Sequence, residues 1–267
     1  MTNFGLEPFL RAIVELAPPP QPRVGDAGVV SPTDERFTGF VFKIQANMDP
    51  RHRDRVAFVR VCSGRFTKDM TLSNSRVGKP LRASRAYRFF GRDRETINDA
   101  YAGDILGLVN PGQFSIGDTL HTGAPVRFSD VPRFPAEHFG RARLNDTRYK
   151  QFDEGLRQLE EEGLMQLFYI EGQRREPIVG VVGALQLDVI TSRLRTEYGV
   201  DAQLDTASYA AARWVADSEL RIPPLGGGAA VALDRRERRV ILFASEWEVQ
   251  YFERQHPSIK LLAESPT

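Results

Sequence analysis

The stretch FVFKIQANMDPRHRDRVAFVRVCSGRF, Phe40 to Phe66, decides how this chain is read. FVFKIQ and RVAFVRVC are β-branched and aromatic, whereas the segment between them is polar and holds a proline and Arg51-His52-Arg53-Asp54-Arg55. Strand, charged loop and strand again is the pattern of an antiparallel hairpin. Within RVAFVRVC, Val56 and Phe58 compete with Val59 and Val61 for the inward face, so the pattern leaves the register open.

Working outward, short apolar segments punctuated by turns continue from Phe37 to about Asp130: FTGFVFKIQ, RVAFVRVCSG, MTLSN, LRASRAYRFFG, GDILGLV and GDTLHTG. Strands at such short intervals predict an all-β sandwich or barrel over residues 37–130. Upstream, LEPFLRAIVELA spaces its apolar residues for one amphipathic helix that ends at Pro18. Residues 18–36, rich in Pro, Gly and small polar residues without either hydrophobic period, read as a linker unable to order itself.

Beyond residue 130 the rhythm changes. HFGRARLND is expected as a strand. DTRYKQFDEGLRQLEEEG is expected as a helix with Phe152, Leu156 and Leu159 on one face and Gly163 as its cap. LMQLFYI and PIVGVVG follow as strands, ALQLDVITSRLRTEYG as a helix ended by Gly199, and VDAQLD as a strand. The order βαββαβ predicts an α+β ferredoxin-like (split βαβ) domain over residues 131–267, with ASYAAARWV, a VALDRRERRVILF hairpin and an ASEWEVQYFERQ helix added.

The composition narrows the function. In 267 residues with 41% hydrophobic content there is one cysteine, Cys62, so neither a disulfide framework nor a Cys-x-x-Cys metal pair exists. The four histidines, 52, 121, 138 and 256, have no metal-ligand spacing. No apolar run approaches the roughly eighteen residues of a membrane helix, and no secretory signal is evident, so a cytoplasmic protein is expected.

Net charge is only +1, yet from Phe37 to Ala100 fourteen Lys and Arg face six Asp and Glu, an excess of eight. A basic block in an otherwise acidic chain suits a polyanionic partner, although a solvated face is the plainer alternative.

No catalytic constellation is present. Gly78-Lys79 runs into Pro80 and has Ser73 where a phosphate-binding loop needs its first glycine. Gly226-Gly227-Gly228 reads as a turn, and Glu160-Glu161-Glu162 as a solvated helix face. Trp214 and Trp247 could be stacking platforms but read first as packing, and Cys62 as a small buried hydrophobe. The best functional candidates are Arg51, Arg53 and Arg55, with Lys43 and His52, since guanidinium forks on a hairpin tip suit phosphate oxygens.

These residues also carry a family resemblance. FTGFVFKIQANMDPRHRDRVAFVRVCSGRF resembles the start of the second domain of the bacterial peptide chain release factor 3 family of translational GTPases, and IGDTL at 116–120 resembles the closing hairpin of such second domains. NFGLEPFLRAIVELAPPPQPR is similar to the last helix and linker of the family's GTPase domain; VVGALQLDVITSRLRTEYGVDA and ARWV resemble its third domain. The resemblance implies a translation termination factor that, with GTP, promotes departure of class I release factors from the ribosome.

It also implies that residues 1–17 are a remnant of the GTPase domain. The P-loop, the DxxG switch and the NKxD motif that should precede this segment are absent, so no GTP hydrolysis and no cofactor are expected in this chain; GTP or GDP with Mg²⁺ belongs to the missing domain. The implied partners are small-subunit ribosomal RNA and protein and the chain's own GTPase domain, with neither membrane nor DNA, for a monomer. Intramolecular scaffolding of the GTPase domain, or membership of another translational GTPase family, are the alternatives. DSELRIPPLGGGA at 217–229 departs from the charged helix usual in relatives, because its prolines and glycines oppose helix.

Overall fold

A computed structural model describes residues 4–46, 55–90, 93–109, 112–129, 131, 134–170, 176–217 and 220–265. The chain forms two compact units, Met1–Val131 and Pro132–Thr267. In the first, α1 (Leu6–Leu16) precedes the strands β1 (Arg23–Gly25), β2 (Gly28–Val30), β3 (Thr38–Gln45), β4 (Val56–Ser63), β5 (Arg65–Thr67), β6 (Thr71–Asn74), β7 (Pro80–Arg82), β8 (Ala86–Phe90), β9 (Asp93–Thr96), β10 (Asp99–Tyr101), β11 (Ile105–Val109) and β12 (Thr119–His121). Eight strands curl into an antiparallel half-barrel in the order β7-β6-β12-β3-β4-β11-β8-β9, and β5 pairs with β10. Its core is Phe37, Val41, Ile44, Val59, Phe66, Leu72, Leu106 and Leu120 with their neighbours, each worth roughly 1.5–3 kcal/mol relative to exposure.

The register left open by the sequence is settled by burial. Ala57, Val59 and Val61 point inward at 0–1% exposure, and Phe58 and Arg60 point outward, against the reading that gave Phe58 a claim on the core. A β-bulge adds to this: Val41 pairs with Val59 but Lys43 with Phe58, so two residues of β3 oppose one of β4. Phe42 and Lys43 are therefore both exposed.

The stretch read as an unordered linker is partly structured. β1 and β2 form a hairpin, Asp26 accepts the Arg127 N–H at 2.8 Å, and Val30 is buried with Phe40, Val126 and Phe128. The Arg23 guanidinium lies 3.8 Å from the centroid of the Phe40 ring. The surface that orders this segment comes from residues far along the chain, which local composition does not reveal.

The second unit begins with β13 (His138–Leu144), α2 (Tyr149–Glu161), β14 (Gln166–Ile170), β15 (Ile178–Val181), α3 (Leu185–Tyr198) and β16 (Ala202–Thr206). The antiparallel order β16-β13-β15-β14 is that of a ferredoxin-like split βαβ unit. Phe152, Leu156 and Leu159 of α2, with Ile190 and Leu194 of α3, bury their stripes over it, and Gly199 caps α3 at φ 64°. Past β14 the same sheet continues through β18 (Ala230–Asp234), β19 (Arg239–Phe243), β17 (Ala211–Val215) and β20 (Leu261–Leu262). α4 (Glu246–Gln255), capped by the Ser245 hydroxyl, packs Val249 and Phe252 against a cluster with Phe243.

Candidate nucleic-acid interface

The site read from sequence sits at one end of the β3–β4 hairpin. Arg51, His52 and Arg53 lie outside the described residues. Lys43 stands on the bulge, its Nζ 5.6 Å from the Phe58 ring centroid. Arg55, at the foot of β4, is half-buried, and its guanidinium comes within 3.1 Å of where a side chain on Gly112 would begin. Lys43 and Arg55 flank the loop without being brought together, since Lys43 pairs with Phe58 and Gln45 with Val56.

Three cations of the basic block are paired within the first unit. Arg76 donates to both carboxylate oxygens of the buried Asp118, at 2.6 and 2.9 Å. Arg65 lies 2.6 Å from Asp99, and Arg82 3.3 Å from Asp69. The two pairs with largely exposed side chains add at most about 1 kcal/mol each, but they lower the positive field.

Sequence reasoning missed an aromatic face. Phe42 and Phe58 have ring centroids 6.4 Å apart, and Phe58 and Phe89 5.1 Å. The Arg94 guanidinium stands 5.9 Å from the Phe89 centroid. Only the bulge and the outward register of Phe58 reveal this row, and neither is visible in residue types. A Cβ at Gly107 would collide with the Phe89 ring, so glycine there lets that ring lie down on the sheet.

The remaining candidates resolve into structure. Trp214 is buried and donates its indole N–H to Asp234. Trp247 is 63% exposed and stacks on Tyr251, centroids 5.3 Å apart. Cys62 is half-buried on the outer face of β4; burial pushes its thiol up from the usual range, with Arg23 opposing, so it is a poor nucleophile. Among the described residues no group of three His, Cys, Asp or Glu could hold a metal ion.

Comparison with known proteins follows the same division. Residues 36–123 match the family model for elongation factor G domain 2, and residues 128–253 that for the class II release factor RF3, C-terminal domain. A crystal structure of a Thermus thermophilus protein superposes with a TM-score of 0.60 over 86% of this chain and 34% of that one, at 22% identity, so it shares the fold. Fold and family matches together define a pair of translation-factor domains.

The relatives narrow the class. Peptide chain release factor 3 of Cyanothece sp. is 44% identical over 100% of this chain and 50% of its own length. That of Gloeobacter violaceus is 46% identical over 97% of this chain and 50% of its own. The chain belongs to the peptide chain release factor 3 family, and it spans about half the length of the curated relatives it matches.

Proposed function

We propose that this chain is the ribosome-contacting part of a termination factor which, as a whole protein with GTP, promotes departure of class I release factors from the ribosome. The observation that carries the reading is 44% identity across the entire chain to proteins named peptide chain release factor 3. GTP and Mg²⁺ are assigned to a GTPase domain outside this chain, and hydrolysis with them. Residues 1–17 are assigned to the last helix of that domain, 18–36 to the connection, and 37–130 and 131–267 to the second and third domains of a cytoplasmic monomer.

Lys43 and Arg55, with Arg51, His52 and Arg53 between them, are assigned to small-subunit ribosomal RNA. Their contact is with phosphate and A-form shape rather than base edges, which the narrow major groove of duplex RNA hides. The chain should co-sediment with small subunits at low salt and be released steeply as salt rises. Unchanged binding and salt slope after reversal of Arg51, Arg53 and Arg55 to Glu would sink the loop assignment.

One observation favours a second role alongside. α1 has no buried residue, and its Phe9, Leu10, Ile13 and Val14 are exposed. An apolar stripe of this kind suits intramolecular scaffolding of the GTPase domain. Tight association with a separately expressed GTPase domain, weakened by Phe9→Ser, tests that coupling.

A further inference from the structure

The outer face of the half-barrel interleaves aromatic rings with cations of one sign. Phe42, Phe58 and Phe89 form a continuous row across β3, β4 and β8, with Phe42 the most open at 37% exposure. Lys43 and Arg94 stand near ring centroids, and Arg60 points outward two residues along β4 from Phe58. Among the described residues none of these three cations is in an ion pair. Among the described residues Arg94 Nη2 is buried without a hydrogen-bond partner. β9 puts its Glu95 opposite Arg88, on the other face from the Arg94–Phe89 pair.

Arg94 as a whole is half-buried beside the Phe89 ring. A protein partner is the poorer occupant. Cores of protein interfaces are depleted of charge, and three uncompensated cations would each have to find a carboxylate on it. Duplex RNA supplies phosphates but hides its base faces. Unpaired RNA supplies both: bases stack on exposed sheet aromatics while cations hold the backbone.

We propose that the Phe42–Phe58–Phe89 face is a stacking platform for unpaired nucleotides of RNA, with Lys43 and Arg60 on phosphates and Arg94 donating to a base or ribose oxygen. This rests on the reading of the chain as an RNA-contacting factor; the platform shares Lys43 with the site read from sequence and adds to it a different mode of contact, stacking on rings.

The test uses the full chain with a short single-stranded oligoadenylate RNA carrying one fluorescent purine analogue, beside the same strand annealed into duplex. The single strand is expected to bind more tightly than the duplex at equal salt, with quenching of the analogue. Phe42→Ala should weaken it roughly tenfold without changing the salt slope. Phe42→Leu, which keeps an apolar side chain but removes the ring, should weaken it as well while melting unchanged. Lys43→Gln should lower the salt slope by about one.

Equal binding of single strand and duplex, together with indifference to Phe42→Ala, would overturn the platform. Co-sedimentation with small subunits separates the two readings. If it persists while the oligonucleotide is not distinguished from duplex, the platform fails and the ribosome reading stands. If the oligonucleotide arm succeeds while subunits do not bind, the ribosome reading fails and the platform stands.

Discussion

Trp214 donates its indole N–H to Asp234 Oδ2 at 3.0 Å, and both residues are buried. Asp234 also accepts the backbone N–H groups of Arg236 and Arg238, at 2.9 and 3.0 Å, and Arg238 Nε at 2.8 Å. One carboxylate thus shapes the β18–β19 turn and ties it to β17. Asp234→Ala leaves an indole and a guanidinium without their acceptor, and is expected to cost about 3–5 kcal/mol. Asp234→Asn, which keeps one acceptor oxygen, should cost less. Urea unfolding followed by tryptophan fluorescence measures both; equal losses would show that the carboxylate's charge and second oxygen add nothing.

Arg193 joins the two helices of the ferredoxin-like unit. Its Nη1 lies 2.5 Å from Glu162 on the α2 side and its Nε 2.6 Å from Glu197 on α3, while the Glu162 side chain is only 8% exposed. Arg193→Met takes from that carboxylate the guanidinium that donates to both of its oxygens. The loss should fall toward the low end of the about 3–5 kcal/mol typical of a broken buried pair, because Arg193 keeps 21% exposure. Adding Glu162→Gln should recover much of it. If the double variant is as unstable as the sum of the two single ones, the coupling is absent.

How much of this was legible depends on whether the signal was local. The α2 and α3 stripes at Phe152, Leu156, Leu159, Ile190 and Leu194, and the cap at Gly199, follow from spacing, and the structure buries or places each one. The order of β1 and β2 was not legible, because Asp26 and Arg127 meet across about a hundred residues. Nor was the outer aromatic row, since a single bulged residue, Phe42, changes which face the rest of β3 presents. Residue type did mark the Arg51–Arg55 loop as basic. It could not show that Arg55 turns half-buried toward Gly112, or that Arg65, Arg76 and Arg82 are paired within the unit.

Gly64 and Gly78 separate backbone strain from crowding. Both are left-handed, at φ 66° and 68°. A Cβ on Gly64 would come within 2.6 Å of the Arg36 carbonyl, fixed backbone that cannot swing aside, whereas one on Gly78 meets nothing within 4 Å. Gly78→Ala should therefore cost only the conformational strain, about 1–2 kcal/mol. Gly64→Ala adds overpacking of about 1–3 kcal/mol. Thermal melting of the two variants should differ by several degrees, with Gly64→Ala the lower; coincident melting would mean the β4–β5 turn relaxes freely.

His121 gives the first unit a pH dependence whose sign is fixed by burial. The residue is 4% exposed, and among the described residues its Nδ1 is buried without a hydrogen-bond partner. Burial lowers its pKa below the usual 6.5; a backbone hydrogen bond at Gly123 opposes this, and the Arg36 charge adds to it. The folded chain therefore keeps the imidazole neutral where the unfolded chain would protonate it. Its contribution is fully present above about pH 6.5 and is lost progressively as pH falls through 6.5 toward the folded pKa. His121→Gln removes the proton-binding site, so its urea midpoint should fall less steeply between about pH 7.5 and 5.5 than that of the parent chain. The comparison cancels every other titrating group the two proteins share, and parallel pH profiles would mean that protonated His121 finds an acceptor in the folded state.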